Sequence, residues 1–200
     1  MPAPAEPPPE LTSEQGRTLL RLARWTIAEK LGRPPDRAEK EALSLALKDP
    51  ALKKLAGVFV TLKLQKSLRG CIGTLHPIEP IIEGVRGNAI NAAFHDPRFK
   101  PMASHELGQV KIEVSVLSPP RPLSYTGPED LLSKLKFHRP GVIIRSGHAG
   151  ATFLPQVWEQ LPKPQEFLGH LCQKAGLPQE EWRCGRLEVS TYHVQHFEEE

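Results

Sequence analysis

The chain has 200 residues, 39% of them hydrophobic and 24% charged, with a net charge of +3. That length supports one sizeable core or two small ones, and no apolar run approaches the roughly 18 residues of a membrane span. The charge is too slight for a dedicated nucleic-acid binder. Three cysteines, an odd number with no CxxC pair, point to reduced thiols in the cytoplasm rather than a disulfide framework.

The opening stretch "MPAPAEPPPE" has neither a basic nor an apolar segment of the signal-peptide kind. It reads as a disordered Pro-rich arm over residues 1–10. Thr12 and Gln15 have the spacing of a capping box, and Leu19, Leu20, Ala23, Ile27 and Leu31 follow at helical intervals. Gly32, Pro34 and Pro35 end that helix. Residues 36–48 predict a second helix, and Asp49-Pro50 can start a short third one.

From Gly57 the period changes to two. Val58, Val60, Leu62 and Leu64 alternate with Phe59, Thr61 and Lys63, which predicts a strand. The segment "LRGCIGTL" follows within a few polar residues, so the two should form a hairpin. A helix is expected over about 78–93 after Pro77, then a turn-rich exit at "HDPRFKP", then a strand at "VKIEVSVLS" over 110–118.

The same order recurs later. "GVII" at 141–144 echoes "GVFV" at 57–60, "TFLP" at 152–155 echoes "TLHP" at 74–77, and "RLEVS" at 186–190 echoes "KIEVS" at 111–115. A helical stretch, roughly 155–175 in the second case, lies between the echoes. This predicts two diverged β-β-α-β units. The fold expected is α+β, in two unequal lobes with antiparallel or mixed sheets and flanking helices. Alignment on the shared Thr-x-x-Pro sets Cys71 opposite Ala149 and Arg69 opposite Gly147. The fold alone therefore does not demand an arginine or a cysteine there.

In a regular strand Arg69, Cys71 and Gly73 point one way and Leu68, Gly70, Ile72 and Thr74 the other. Arg69 and Cys71 would stand roughly 7 Å apart along the strand, with Gly73 leaving a gap beside the thiol. Two readings follow. A cation near the thiol favours the nucleophilic thiolate; alternatively Cys71 is an inert packing residue and the glycines serve a bulge or close packing. In "AAFHDPRF" at 92–99, Phe94 and Phe99 read as core anchors and Asp96-Pro97 as a turn start. Arg98 can pair with Asp96 or hold an anion, and His95 is a candidate base for Cys71. His148, between glycines in "SGHAGATFLP", is a second candidate base. Cys172 and Cys184 read as structural or incidental.

Metal-site spacings are absent from the sequence: there is no HExxH, paired CxxC or calcium loop, and His193 and His196 lie at a strand end near an acidic tail. There is also no GxGxxG, P-loop or GxSxG, so no cofactor can be assigned. Lys48, Lys53, Lys54, Lys63, Lys66 and Arg69 fall in one stretch but lack interleaved aromatics, which fits a solvated face better than a nucleic-acid platform.

Taken in order, "LRGCIGTL", "NAAFHDPRF", "VKIEVSVLS", "TFLPQVW" and "KAG" at 174–176 make the chain resemble the AMMECR domain family, whose microbial members are called AmmeMemoRadiSam system protein A. The resemblance runs from about Leu11 to the C-terminus. It carries over the motif residues Leu68, Arg69, Gly70, Cys71, Ile72, Gly73 and Thr74, with Asp96, Pro97, Arg98 and Phe99, and Thr152, Phe153, Leu154 and Pro155. It implies an α+β fold in two lobes, the RGCIGT segment near the cleft between them, and association with Memo-like and radical S-adenosylmethionine proteins. It implies no established activity. Three functions are carried forward. One is a cysteine-dependent enzyme using Cys71 and Arg69, with His95 or His148 moving protons and Gly70, Gly73, Thr74, Asp96 and Arg98 binding. The others are a non-catalytic adaptor and an RNA-associated factor.

Overall fold

The computed structural model describes residues 11–200; the Pro-rich arm over 1–10 lies outside them. The fold is α+β, with two four-stranded sheets in two compact units. The first unit comprises the described residues to Pro119 together with Gln195–Glu200, and the second is Pro120–Val194. Among the described residues no helix is long and apolar enough to cross a membrane.

The first unit opens with α1 (Ser13–Lys30), whose N-terminus carries the full Thr12/Gln15 capping box, and α2 (Arg37–Ala46), capped the same way by Asp36 and Glu39. A 3-10 turn at Pro50–Lys53, capped by Asp49, leads to β1 (Gly57–Leu64) and β2 (Ser67–Thr74). Next come α3 (Ile81–Ile90), a π-helical turn at Asn91–His95, and β3 (Val110–Leu117). The strand order is β2-β1-β3-β8, the last being Val194–Glu198. Val58, Val60, Leu62, Ile112 and Val114 form one face of this sheet and are fully buried with Leu19, Ala23 and Ile27 of α1 and Val85 and Ala89 of α3. The C-terminus is clamped to this unit. Arg24 donates to both carboxylate oxygens of Glu199 and to the carbonyls of Leu107 and Val110, and Glu199 accepts the Ile112 amide.

The second unit holds β4 (Arg121–Pro122), α4 (Pro128–His138), β5 (Gly141–Ser146), β6 (Ala149–Phe153), α5 (Val157–Gln160), α6 (Pro164–Lys174) and β7 (Glu188–Tyr192). Its strand order is β4-β7-β5-β6. Trp158 stacks on Phe167 in its core, with Leu131, Leu135, Ile144 and Leu171 buried around them. The sequence expectations do not include α4, β4 or the C-terminal strand β8 (Val194–Glu198). Helix α4 was signalled by Pro128 at its first turn, Glu129 and Asp130 beside it and the Leu131-Leu132-Leu135 spacing. The predicted helix over 155–175 is two helices, because Pro162 and Pro164 break it.

Each unit places its first predicted strand between the second and the third, β2-β1-β3 and β6-β5-β7. The registers agree as the echoes require: Val60 pairs with Val114 as Ile144 pairs with Val189, and Thr61 with Glu113 as Arg145 with Glu188. The hairpins differ by one residue from the Thr-x-x-Pro alignment. Thr61 faces Cys71 where Arg145 faces Gly150, so Cys71 stands at the place of Gly150 and Gly70 at that of Ala149.

The β1–β2 hairpin is irregular at Arg69. The β1–β2 turn, with Gln65 and Lys66 both at positive φ, sets Leu64 against Ser67 and Lys63 against Leu68. Continued without a break, this register would put Arg69 against Leu62 on the core face. Instead Leu62 pairs with Gly70, and Arg69 is the extra residue of a β-bulge. Gly70 and Ile72 then face the core, and Gly70 lies against the π-helical turn. A Cβ on Gly70 would stand 2.1 Å from the Ala92 carbonyl oxygen, a backbone atom that cannot swing aside. Gly70→Ala should therefore lower stability in urea denaturation by about 2–3 kcal/mol. Gly150→Ala, whose added carbon would meet Ile144 oxygen at 3.2 Å, should cost less than about 1 kcal/mol.

Candidate functional site around Cys71

Strand β2 is an edge strand, and at Cys71 its backbone amide and carbonyl both turn outward. The Asp96 carboxylate accepts the Cys71 N–H at 2.9 Å, and the Arg98 guanidinium donates to the Cys71 carbonyl at 3.0 Å. Asp96 and Arg98 are tied together in turn: Nε and Nη2 of Arg98 reach the two Asp96 oxygens at 2.9 and 2.7 Å, and the Arg98 amide bonds Asp96 at 3.1 Å. The Asp96 side chain is 1% exposed. Hydrogen bonding from Arg98 holds its carboxyl far below the ordinary carboxylate range against the opposing effect of burial, with the Cys71 and Arg98 amides helping. Arg98 is held more firmly protonated, first by the Asp96 hydrogen bond. The Asp-Pro-Arg turn thus supplies the partners that a neighbouring strand would otherwise give.

The bulge sends Arg69 elsewhere. Its Nε and Nη2 grip the two Glu106 oxygens at 2.7 and 3.1 Å, and Nη2 also donates to the Lys100 carbonyl at 2.9 Å. Both side chains are nearly buried, 13% and 14% exposed. This bidentate bond lowers the Glu106 carboxyl, burial acting against it. Phe99 lies between the systems, its ring centre 5.9 Å from the Arg69 guanidinium carbon and 5.6 Å from that of Arg98. The sequence expectation set Arg69 on the face of the thiol; in the structure its guanidinium bonds Glu106 and the Lys100 carbonyl. The cation nearest the Cys71 backbone is Arg98.

The Cys71 side chain is half-buried on the face away from the core, opposite Thr61, whose hydroxyl donates to Sγ at 3.2 Å. The expected gap at Gly73 is filled. A Cβ there would stand 2.3 Å from the ring of Phe59, its cross-strand partner, so the glycine seats an aromatic ring. Thr74 faces Val58, with its hydroxyl buried and without a hydrogen-bond partner among the described residues. His95 ends the π-helical turn exposed, its Nδ1 3.1 Å from the Asn91 side-chain oxygen. His148 belongs to the second unit, exposed beside Gly147 in the β5–β6 turn. Asp96, Arg98 and Gly70 thus gather at Cys71, while Arg69 and His95 bond elsewhere. Thr61 and Glu106 were not anticipated. Thr61 meets Cys71 only because of the bulge, and Glu106 lies 37 residues beyond Arg69 with no local signal.

A carboxylate with a depressed folded value contributes stability that is fully present above its unfolded value near pH 4 and is lost as pH falls toward the folded one. Asp96→Asn removes that charge. In urea denaturation the variant should be less stable than wild type by about 2–3 kcal/mol at pH 7, and the difference should shrink below about pH 4.

Comparison with other proteins agrees with the motifs. Residues 20–197 match the model of the AMMECR1 family. A protein of Methanopyrus kandleri is 41% identical over 202 residues, covering 96% of this chain and 91% of its own. One from Thermofilum pendens is 39% identical, covering 94% and 92%. The crystal structure of an uncharacterised protein from Pyrococcus horikoshii superposes with a TM-score of 0.78 at 37% identity, covering 95% of this chain and 94% of that one. With motifs, fold and full-length relatives in agreement, this chain belongs to the AMMECR1 family.

Proposed function

We propose that this chain is a non-catalytic binding protein in which the RGCIGT and DPRF motifs are a structural clip. One observation carries the reading: the motif groups that could act on the thiol are already engaged inside the first unit. Arg69 bonds Glu106 and Lys100, Asp96 bonds Arg98 and the Cys71 amide, and His95 bonds Asn91 through Nδ1 rather than the thiol. A base within hydrogen-bond reach is one way to activate a cysteine, and here the group bonded to Sγ is the Thr61 hydroxyl, a donor and not a base.

Surface chemistry supports the same reading. A groove of about 440 Å³ in the first unit is floored by Leu22, Trp25, Leu43 and Leu47 and rimmed by Lys40, Lys48, Lys53 and Arg86 together with Glu29, which pairs with Lys40. Its apolar floor and basic rim fit an acidic segment of a partner protein. The basic stretch noted in the sequence supports RNA binding less well, since Lys63 and Arg69 are paired with acids. The family resemblance implies Memo-like and radical S-adenosylmethionine proteins as the partners to try first.

The test is complementation of a strain lacking its own copy, together with binding of purified partners. Cys71→Ala should complement and should bind within twofold of wild type. Lys48→Glu with Lys53→Glu should weaken binding at least tenfold. Loss of complementation by Cys71→Ala with an unchanged melting curve would overturn the reading in favour of cysteine chemistry.

A further inference from the structure

Strand β8 carries two residues that face β3 of the same sheet. His196 Nε2 lies 3.8 Å from Glu113 Oε2 and 4.0 Å from Glu198 Oε2. The other ring nitrogen, Nδ1, lies 3.4 Å from Ser115 Oγ, which steadies the ring with Nε2 toward the carboxylates. One donor atom from each of Glu113, His196 and Glu198 falls within 4.8 Å of the others. The nitrogen-to-oxygen distances are too long for hydrogen bonds. They are a few tenths of an ångström beyond the roughly 3.4 Å that separates two ligands each about 2.1 Å from a tetrahedral ion.

Glu113 is nine-tenths buried, 8% exposed in its side chain. The Lys63 ammonium sits against Glu113 Oε1 and 3.8 Å from Glu198 Oε1, so Lys63 holds one oxygen of each carboxylate while the Oε2 atoms face His196. Lys63 is the cation paired with both carboxylates, and Lys111, opposite Lys63 in the register, lies on the same face of the sheet. Lys63 is 35% exposed, and its flexible stem can carry the ammonium into solvent.

We propose that Glu113, His196 and Glu198 bind a divalent metal ion of the zinc class, and that Lys63, held by the other oxygen of each carboxylate, competes with the ion for them. One imidazole and two carboxylates are a donor set for such an ion, with a fourth position left for water. Ser115 is a positioning residue, fixing which ring nitrogen meets the metal. This site lies on side chains other than those of the Cys71 clip, and its test is independent of the binding role proposed above.

The experiment titrates the full chain with Zn(II) by calorimetry and with Co(II) by visible absorption. The proposal expects one ion per chain and the absorption of a cobalt site with nitrogen and oxygen ligands. His196→Ala should weaken binding by more than about 100-fold, beyond the loss expected from a residue that only orients a ligand. Lys63→Met, which removes the competing ammonium and leaves the three donors, should tighten it at least threefold. Binding that is absent in wild type, that persists in His196→Ala, or that Lys63→Met does not tighten would overturn the proposal.

Discussion

At Cys71 the edge of the first sheet turns an amide and a carbonyl away from its neighbouring strand, and the Asp96 carboxylate and Arg98 guanidinium take both. An unpaired backbone group at a half-buried position is costly, so the strand depends on the Asp-Pro-Arg turn being where it is. The turn is placed by the π-helical segment before it, whose Ala92 carbonyl lies against Gly70 so closely that no side chain fits between. Beyond the turn, Phe99 and the Glu106 segment receive Arg69. The glycine, the bulge, the buried acid and the two arginines are thus parts of one arrangement.

That arrangement gives each member of the motif a packing or hydrogen-bonding partner that its spacing in the sequence does not show. A cation, a thiol and two glycines within five residues suggest a reactive cysteine. In the fold each glycine has a packing reason, Gly70 for Ala92 and Gly73 for the Phe59 ring. Arg69 is the bulge residue, and bulges commonly re-aim a side chain; here it is re-aimed to Glu106. The second unit builds the same strand order with Gly150 where Cys71 stands. Its edge strand β6 shows that the β-β-α-β framework tolerates a residue without a side chain at that place.

Much of the fold was legible in the sequence because it is written locally. The Thr12/Gln15 cap, the alternation in β1 and β3 and the three echoes each depend on residues a few positions apart. The register of β3 and β7 agrees with the echoes pair for pair. What was not legible depends on distance. A single inserted residue in the hairpin reverses which side chains share a face, and nothing in "SLRGCIGT" says that Arg69 is that residue. The Arg69–Glu106 and Thr61–Cys71 contacts follow from the bulge and were hidden with it. Glu113 and His196 are separated by most of the second unit, and β8, too short and polar to stand out, brings them together.

The most direct measurement of the central claim is native-state hydrogen exchange at the Cys71 amide. An outward-facing amide on an edge strand ordinarily exchanges quickly, since solvent is its partner. If the Asp96 carboxylate holds it, Cys71 should exchange as slowly as the amides of the central strand β1, and Asp96→Ala should speed its exchange while leaving β1 protected. Fast exchange at Cys71 in the wild-type protein would contradict the account.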